Sequence, residues 1–322
     1  MKAIFQTGYG SPDFFELREI NKPAIKDNEV LVSVRAAALN AGDLFFMRGV
    51  PYMVRLAAGI PRPKNYIPGF DVAGHVAEVG RKVTQFKPGD EVFGSGHSTC
   101  SEQVCVKEKN ILSKPASLTF EQAAAIPTSA LTALQGLRDV GKIKPGQKVL
   151  INGASGGVGT YAVQIAKAFG AEVTGVCSTR NLAMVRSIGA DHVIDYTTQD
   201  FTQSGQNYDL ILDQVANHSL ADCRRSLTPQ GTHIPNSGNK GLGYVVKAFI
   251  SSLFVRQQGS TYFSVPKNQD LVVLKKLVES GKVKPVIDKT FPISEISEAF
   301  RHLEEVHASG KVVITIEHNH KT

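Results

Sequence analysis

The pattern of apolar and polar positions changes twice along the chain. Glu29 to Arg35 alternates as a strand, and Asp71 to Val79 reads as another. Turn signals at Lys22–Pro23, Pro68–Gly69 and Lys87–Asp90 punctuate this region, and short strands at such spacing predict a small barrel or sandwich. Between the strands, Ala41 to Gly49 reads as a short helix opening after Asn40. Thr119 to Gly136 is alanine-rich with helical spacing, and Thr119 followed by Gln122 predicts a capped start. The period then alternates: strand Lys148–Asn152, helix Val158–Phe169, strand Glu172–Cys177, helix Asn181–Ile188, strand His192–Asp195. Strands over Asp209–Asp213 and Gly231–Pro235 follow. Such alternation implies βαβ units and a parallel sheet with right-handed crossovers. A mixed pattern then returns, with helices over Asn268–Ser280 and Ser294–Val306 and strands over Asp288–Phe291 and Lys311–Glu317.

The loop between the first alternating strand and helix carries chemistry. Gly153, Ala154, Ser155, Gly156, Gly157 and Val158, with Gly159 beyond, follow an apolar strand and open an apolar helix. Small residues let the backbone turn sharply and approach a pyrophosphate, which the N–H groups and dipole of the helix favour. The second strand runs into Ser178-Thr179-Arg180-Asn181 without the Asp or Glu that binds an NAD ribose. Ser178 can give a 2′-phosphate a hydrogen bond and Arg180 a charge-assisted one, so NADPH is the expected cofactor. Arg180 also reads as an exposed helix-start residue.

Composition narrows the alternatives. The 322 residues are 42% hydrophobic and 20% charged, enough for about two domains of ordinary size without disulfides or metals. Cys100, Cys105, Cys177 and Cys223 fit neither a disulfide framework nor a paired zinc knuckle, and read as free thiols. The net charge of +7 permits nucleic acid, but the basic residues are dispersed, and attraction of an anionic cofactor accounts for it equally well. No long apolar run marks a signal peptide or membrane anchor. The sequence therefore predicts a cytoplasmic protein with no membrane partner, and its dispersed basic residues disfavour a nucleic-acid partner.

These features together resemble the zinc-independent quinone oxidoreductase branch of the medium-chain dehydrogenase/reductase superfamily. The resemblance rests on Asn40-Ala41-Gly42-Asp43, on Pro68 through Val76, on Phe86 through Val92, and on Ala130-Leu131-Thr132-Ala133. The glycine turn, Gly189 through Tyr196 and the terminal Gly310 through Ile314 complete it, in the family's order and spacing. It implies a β-rich GroES-like catalytic domain over 1–124 and 263–322, with a Rossmann NADP-binding domain over 125–262. It also implies a cofactor at the carboxyl ends of the parallel strands, and a homodimer. Zinc-using members carry a cysteine where Asn40 stands and His-Glu where Phe70-Asp71 stands, so no zinc is expected.

By the same resemblance, Asn40 and Thr132 would face the nicotinamide and its ribose. Asn40 also reads as the cap of the following helix, and Thr132 as an ordinary helix residue. Tyr196 would pack beside the 2′-phosphate or simply end its strand. Val215 and Asn236 fall in loops that touch the cofactor, and Lys311 is either a cofactor or substrate contact or a surface lysine. Some relatives place a tyrosine where this chain has Phe45; Tyr52 is the nearest substitute. Phe45, Phe46 and Met47 line a substrate pocket or fill the core. The implied reaction is NADPH-dependent reduction of a quinone or an α,β-unsaturated carbonyl. The alternatives are a reductase of alkenals or other carbonyls, and a non-catalytic protein that binds NADPH or RNA.

Overall fold

The computed structural model describes residues 1–64, 66–236, 262, 264–306 and 308–318. The chain divides into two compact units: Met1–Ser129 with Pro266–Glu279 and Pro285–Thr322, and Ala130–Val265 with Ser280–Lys284. The sequence expectation put the first crossing at 124/125 and the second at 262/263. Residue 263 lies outside the described residues.

The first unit begins with an antiparallel hairpin of β1 (Lys2–Gln6) and β2 (Phe15–Glu19). Its main sheet is built around β3 (Glu29–Leu39), which runs four residues beyond the alternating stretch. The added Ala36-Ala37-Ala38-Leu39 segment is buried on both faces. A doubly buried strand shows an apolar run where a half-exposed one alternates. On one side β3 pairs antiparallel with β4 (Asp71–Val79), then β5 (Glu91–Ser95) and β7 (Ile111–Ser113). The short β6 (Gln103–Lys107) also pairs with β3. Helix α1 (Ala41–Arg48) follows β3, and α2 (Val54–Ala58) follows α1.

The predicted helix over Thr119–Gly136 is two helices, α3 (Phe120–Ala124) and α4 (Pro127–Gln135). Pro127 lacks an N–H and its ring clashes with the preceding turn, so it ends one helix and occupies the first position of the next. The reciprocal cap at Thr119 and Gln122 forms, with N–H···O distances of 3.0 and 3.2 Å. The first unit stops at Ser129, inside α4.

The second unit is a five-stranded parallel sheet of β8 (Lys148–Asn152), β9 (Glu172–Cys177), β10 (His192–Asp195), β11 (Tyr208–Asp213) and β12 (Leu227–Pro235). Its strand order is β10-β9-β8-β11-β12, the doubly wound arrangement that reverses direction beside the first strand. Helices α5 (Gly157–Ala168), α6 (Leu182–Ser187) and α7 (Leu220–Arg225) connect them. Leu150, Val176, Phe201, Tyr208 and Ile211 pack its core. The chain returns to the first unit in α8 (Asn268–Glu279), β13 (Ile287–Pro292), α9 (Ile296–Glu305) and β14 (Lys311–Thr315). Strand β14 pairs antiparallel with β3, which completes the main sheet and encloses a core of Val34, Leu39, Val72, Phe300 and Ile314.

Candidate active site

Sheet register assembles the polar centre of the first unit. In it Val312 of β14 faces Leu39 of β3, and Asp71 of β4 faces Ala38. Lys311, Asn40 and Asp71 therefore meet at one end of three adjacent strands. Lys311 is only 2% exposed and Asp71 not at all, so the surface-lysine reading is corrected. The Lys311 Nζ donates to Leu39 O at 2.9 Å, to Ser129 Oγ at 3.1 Å and to Asn40 Oδ1, with the Asp71 carboxylate at 3.7 Å. All three ammonium hydrogens are used, as burial of a cation requires.

The Asn40 amide is used to the same degree. Its Nδ2 donates to Asp71 Oδ2 at 3.0 Å and to Ala38 O at 3.3 Å. Its Oδ1 accepts from Lys311 and from Ser129 Oγ. The ammonium fixes the amide orientation, because a flipped amide would turn its own donors toward the cation. Asn40 thus organises the cluster, and its amide has no donor or acceptor left over in this arrangement. It also precedes α1, where Asp43 closes the turn by accepting from the Asn40 backbone N–H at 2.8 Å. The cap that forms there comes from Asp43.

Asp71 joins this cluster to α4. Its Oδ1 accepts from the Thr128 N–H at 2.9 Å and the Thr128 hydroxyl at 2.6 Å. A carboxylate is therefore set against the first turn of a helix that begins with proline, where the dipole favours negative charge. Burial raises the Asp71 carboxyl above the usual carboxylate range, while Lys311 and the Thr128 and Asn40 hydrogen bonds pull it back. The same burial lowers Lys311, opposed by Asp71 and Asp43. Asp43 accepts from Gly69 N–H at 2.9 Å, and burial pushes it up from 3.8 to about 7. One ammonium beside two carboxylates leaves the second carboxyl to take up a proton near neutrality.

Apolar groups flank the cluster. Met47 is fully buried and belongs to the core, whereas Phe45 and Phe46 are half-buried. Phe46 stacks on Tyr66 with centroids 5.0 Å apart and lies 5.7 Å from Phe70, which meets the His97 ring edge-on. Tyr52 stands apart from this group. It is 72% exposed, beneath the Arg55 guanidinium, and it has no place among the cluster's hydrogen bonds. Thr132 belongs to the second unit, where its carbonyl accepts from the Tyr262 hydroxyl at 2.5 Å.

The glycine turn lies at the carboxyl end of β8. Gly153 has φ +87°, and a Cβ on Gly159 would fall 2.0 Å from the Gly153 carbonyl oxygen. The turn needs glycine at both places. The Gly153 and Ala154 N–H groups bond to Val176 O at 3.1 and 2.9 Å, so those two residues shape the loop. Helix α5 starts on Gly156 without a side-chain cap, and its first intrahelical bond runs from Thr160 N–H to Gly156 O. The N–H groups of Gly157, Val158 and Gly159 are the orphan donors of that helix start, suited to a pyrophosphate.

Val215 meets Gly153 across the strand ends: a Cβ on Gly153 would lie 2.9 Å from Val215 Cγ2. Buried Asp213 holds this region. Its Oδ1 accepts from Asn152 Nδ2, Val215 N–H and Ala216 N–H at 2.8 to 3.1 Å, and its Oδ2 faces His233 Nε2 at 3.4 Å. Burial works against its charge, but the hydrogen bond and charge of His233 and the loop amides outweigh it and hold Asp213 low. Asn236 bonds to the Asp213 carbonyl through its backbone and to Gln214 through its side chain.

At the other end of the sheet, Ser178 is half-buried and accepts from Asn181 Nδ2 at 3.3 Å, while Arg180 and Tyr196 are exposed. Strand β10 brings a carboxylate that the sequence of β9 did not announce. Asp195 is in register with Cys177 and bonds to the Thr179 and Thr197 hydroxyls, which hold it ionised below its usual range.

Sequence reasoning missed Asp43, Asp71, Thr128 and Ser129 in one unit and Asn152, Asp213 and His233 in the other. Weak signals existed. Asp43 sits three residues after Asn40, the spacing of a cap, and Asp71 heads the apolar run Val72-Ala73-Gly74. Nothing in the chain's linear order indicated that α4 would supply Thr128 and Ser129.

A nucleotide-binding parallel sheet joined in one chain to a β-rich unit defines a two-domain, nicotinamide-dependent oxidoreductase. Residues 26–136 match the alcohol dehydrogenase GroES-like domain, and residues 188–314 match the zinc-binding dehydrogenase family. The chain is 36% identical to the 2-methylene-furan-3-one reductase of Solanum lycopersicum, over 98% of this chain and 79% of the relative. It is also 36% identical to the chloroplastic NADPH-dependent alkenal/one oxidoreductase of Arabidopsis thaliana, with the same coverage. The solved quinone oxidoreductase of Coxiella burnetii superposes with a TM-score of 0.88 at 29% identity, covering 98% of this chain and 99% of that one. The chain belongs to the medium-chain dehydrogenase/reductase superfamily, in its quinone oxidoreductase branch.

The zinc in one family's description finds no ligand set around Asn40. Phe70 offers no donor, and Asp71 is committed to Thr128, Asn40 and Lys311. Among the described residues, the three side chains close enough to share an ion are Asp213, Cys223 and His233 of the second unit. There Asp213 Oδ1 already accepts three N–H donors.

Two outcomes follow for the cluster. Lys311→Met should cost about 3–5 kcal/mol in urea unfolding, because it strands the Asp71 carboxylate, and adding Asp71→Asn should recover part of that loss. A cost within experimental error for the single variant would contradict the hydrogen-bond assignment. Asp43 is raised in the folded state, so its stabilising contribution is complete below the unfolded value near 3.8 and is lost as pH rises through about 7. Measured across that window, the wild type should lose stability relative to Asp43→Asn; parallel pH profiles would refute the assignment.

Proposed function

We propose that this chain is a zinc-free, NADPH-dependent reductase of quinones or α,β-unsaturated carbonyls. The observation that carries this reading is the saturated cluster of Lys311, Asn40 and Asp71. Asn40, where zinc-using relatives carry a cysteine, is here taken up by Lys311 and Asp71.

The nicotinamide supplies the hydride when bound. The protein's part is to hold the cofactor's pyrophosphate at Gly157, Val158 and Gly159 and to keep the loop at Asp213 to Ala216 fixed beside Gly153. Without a Lewis acid, a simple alkoxide has no electrophilic support. Quinones and enones need least, because their negative charge spreads over a conjugated system as hydride arrives, and water or a hydroxyl completes the reduction with a proton. The tomato relative, a 2-methylene-furan-3-one reductase, and the Arabidopsis relative, an alkenal/one oxidoreductase, support this substrate class.

The choice of NADPH rests on Ser178 and Arg180 at the end of β9. Asp195, kept ionised by the Thr179 and Thr197 hydroxyls, opposes it. Arg180 supplies the positive charge that a 2′-phosphate requires.

The test is a panel of quinones and enones assayed with NADPH and with NADH. Turnover of at least one acceptor with NADPH favoured is the expected result, and no turnover across the panel would overturn the reading. Arg180→Glu should reduce the preference for NADPH over NADH by about ten-fold or more, through loss of a charge-assisted bond and added repulsion. An unchanged preference would place the 2′-phosphate elsewhere.

A further inference from the structure

The segment after α1 is apolar, basic and open to solvent. Val50, Tyr52, Met53, Leu56 and Ile60 are 50–76% exposed within eleven consecutive positions. Isolated exposed apolar residues are ordinary on protein surfaces, but five large ones in so short a stretch form a patch. Between Asp43 and Asp71 the sequence has no acidic residue, and it has four cations: Arg48, Arg55, Arg62 and Lys64. Arg48 is paired with Glu304, whereas Arg62 and Lys64 are exposed and Arg55 lies over the Tyr9 and Tyr52 rings. Tyr52 thus offers an aromatic ring, backed by a guanidinium, at the rim of the patch.

We infer that this segment docks the protein onto an anionic lipid surface, with Met53, Leu56 and Ile60 entering the headgroup region and Arg62 and Lys64 meeting the lipid phosphates. An aromatic and aliphatic face rimmed by cations is the combination that binds such interfaces. Charge complementarity selects this occupant. A second copy meeting through the same face would bring Arg62 and Lys64 toward their own counterparts, with no acid in the segment to answer them. The expectation of no membrane partner came from the lack of a spanning or anchoring run. A surface-lying patch satisfies that observation while changing its consequence. The inference does not depend on the redox reading.

The test uses the full chain in co-sedimentation with vesicles of phosphatidylcholine alone or mixed with phosphatidylserine. Binding should require phosphatidylserine and weaken in high salt. Arg62→Gln and Lys64→Gln should each lower the partition coefficient by roughly five-fold, the effect of one cation at such a surface. Met53→Ser with Leu56→Ser should abolish pelleting, while unfolding and turnover of a water-soluble quinone stay at the wild-type level. Absence of binding to the mixed vesicles would overturn the proposal, as would undiminished binding by the Met53/Leu56 variant. A change of oligomeric state in that variant would overturn it in favour of a contact between copies.

Discussion

An ammonium group taken out of water is tolerated only where acceptors meet each of its hydrogens and a negative charge stands close by. Lys311 satisfies that condition at the head of β14, and the satisfaction depends on elements far apart in sequence. Strand β3 must deliver a carbonyl and Asn40, β4 must deliver Asp71, and α4 must deliver Ser129. Removal of any partner leaves a buried donor or charge uncompensated, a defect costing more than a typical hydrogen bond contributes. Strand register, the break at Pro127 and the start of α1 are thereby tied to one constraint.

That constraint also shapes the chemistry. In this arrangement both amide atoms of Asn40 serve the cluster. Its value is that of a linchpin between the ammonium and Asp71. A positive charge is held in place by the protein beside Asn40 and Asp71, and burial raises the Asp43 carboxyl nearby to about 7. In the nucleotide-binding unit, Asp213 has a parallel duty. It spends its carboxylate on Asn152, His233 and the amides of the next loop, and so fixes that loop beside Gly153.

Much of this was legible in the sequence, for definable reasons. The alternating segment from Lys148 announced a parallel sheet because short apolar strands alternate with helical stretches, and all five strands form. The glycine turn was legible because Gly153 and Gly159 are forced, one by its φ and the other by a carbonyl at contact distance. Less visible was anything set by register. Lys311 looked like a surface residue because a lysine carries no mark of burial until its neighbours are known. Thr128 and Ser129 sat in an alanine-rich stretch that read as one helix, because helical periodicity drew attention away from Pro127. Asp195 carries no signal in the strand that ends at Cys177, because the carboxylate arrives from the strand beside it.

In the proposed reductase a protein-borne ammonium and amide, rather than a metal, stand at this site. The most direct measurement is the turnover of an α,β-unsaturated ketone by NADPH after exhaustive dialysis against a strong chelator, before and after addition of zinc. The account predicts equal rates in the untreated, chelated and zinc-supplemented protein. A rate that collapses on chelation and returns with zinc would contradict it.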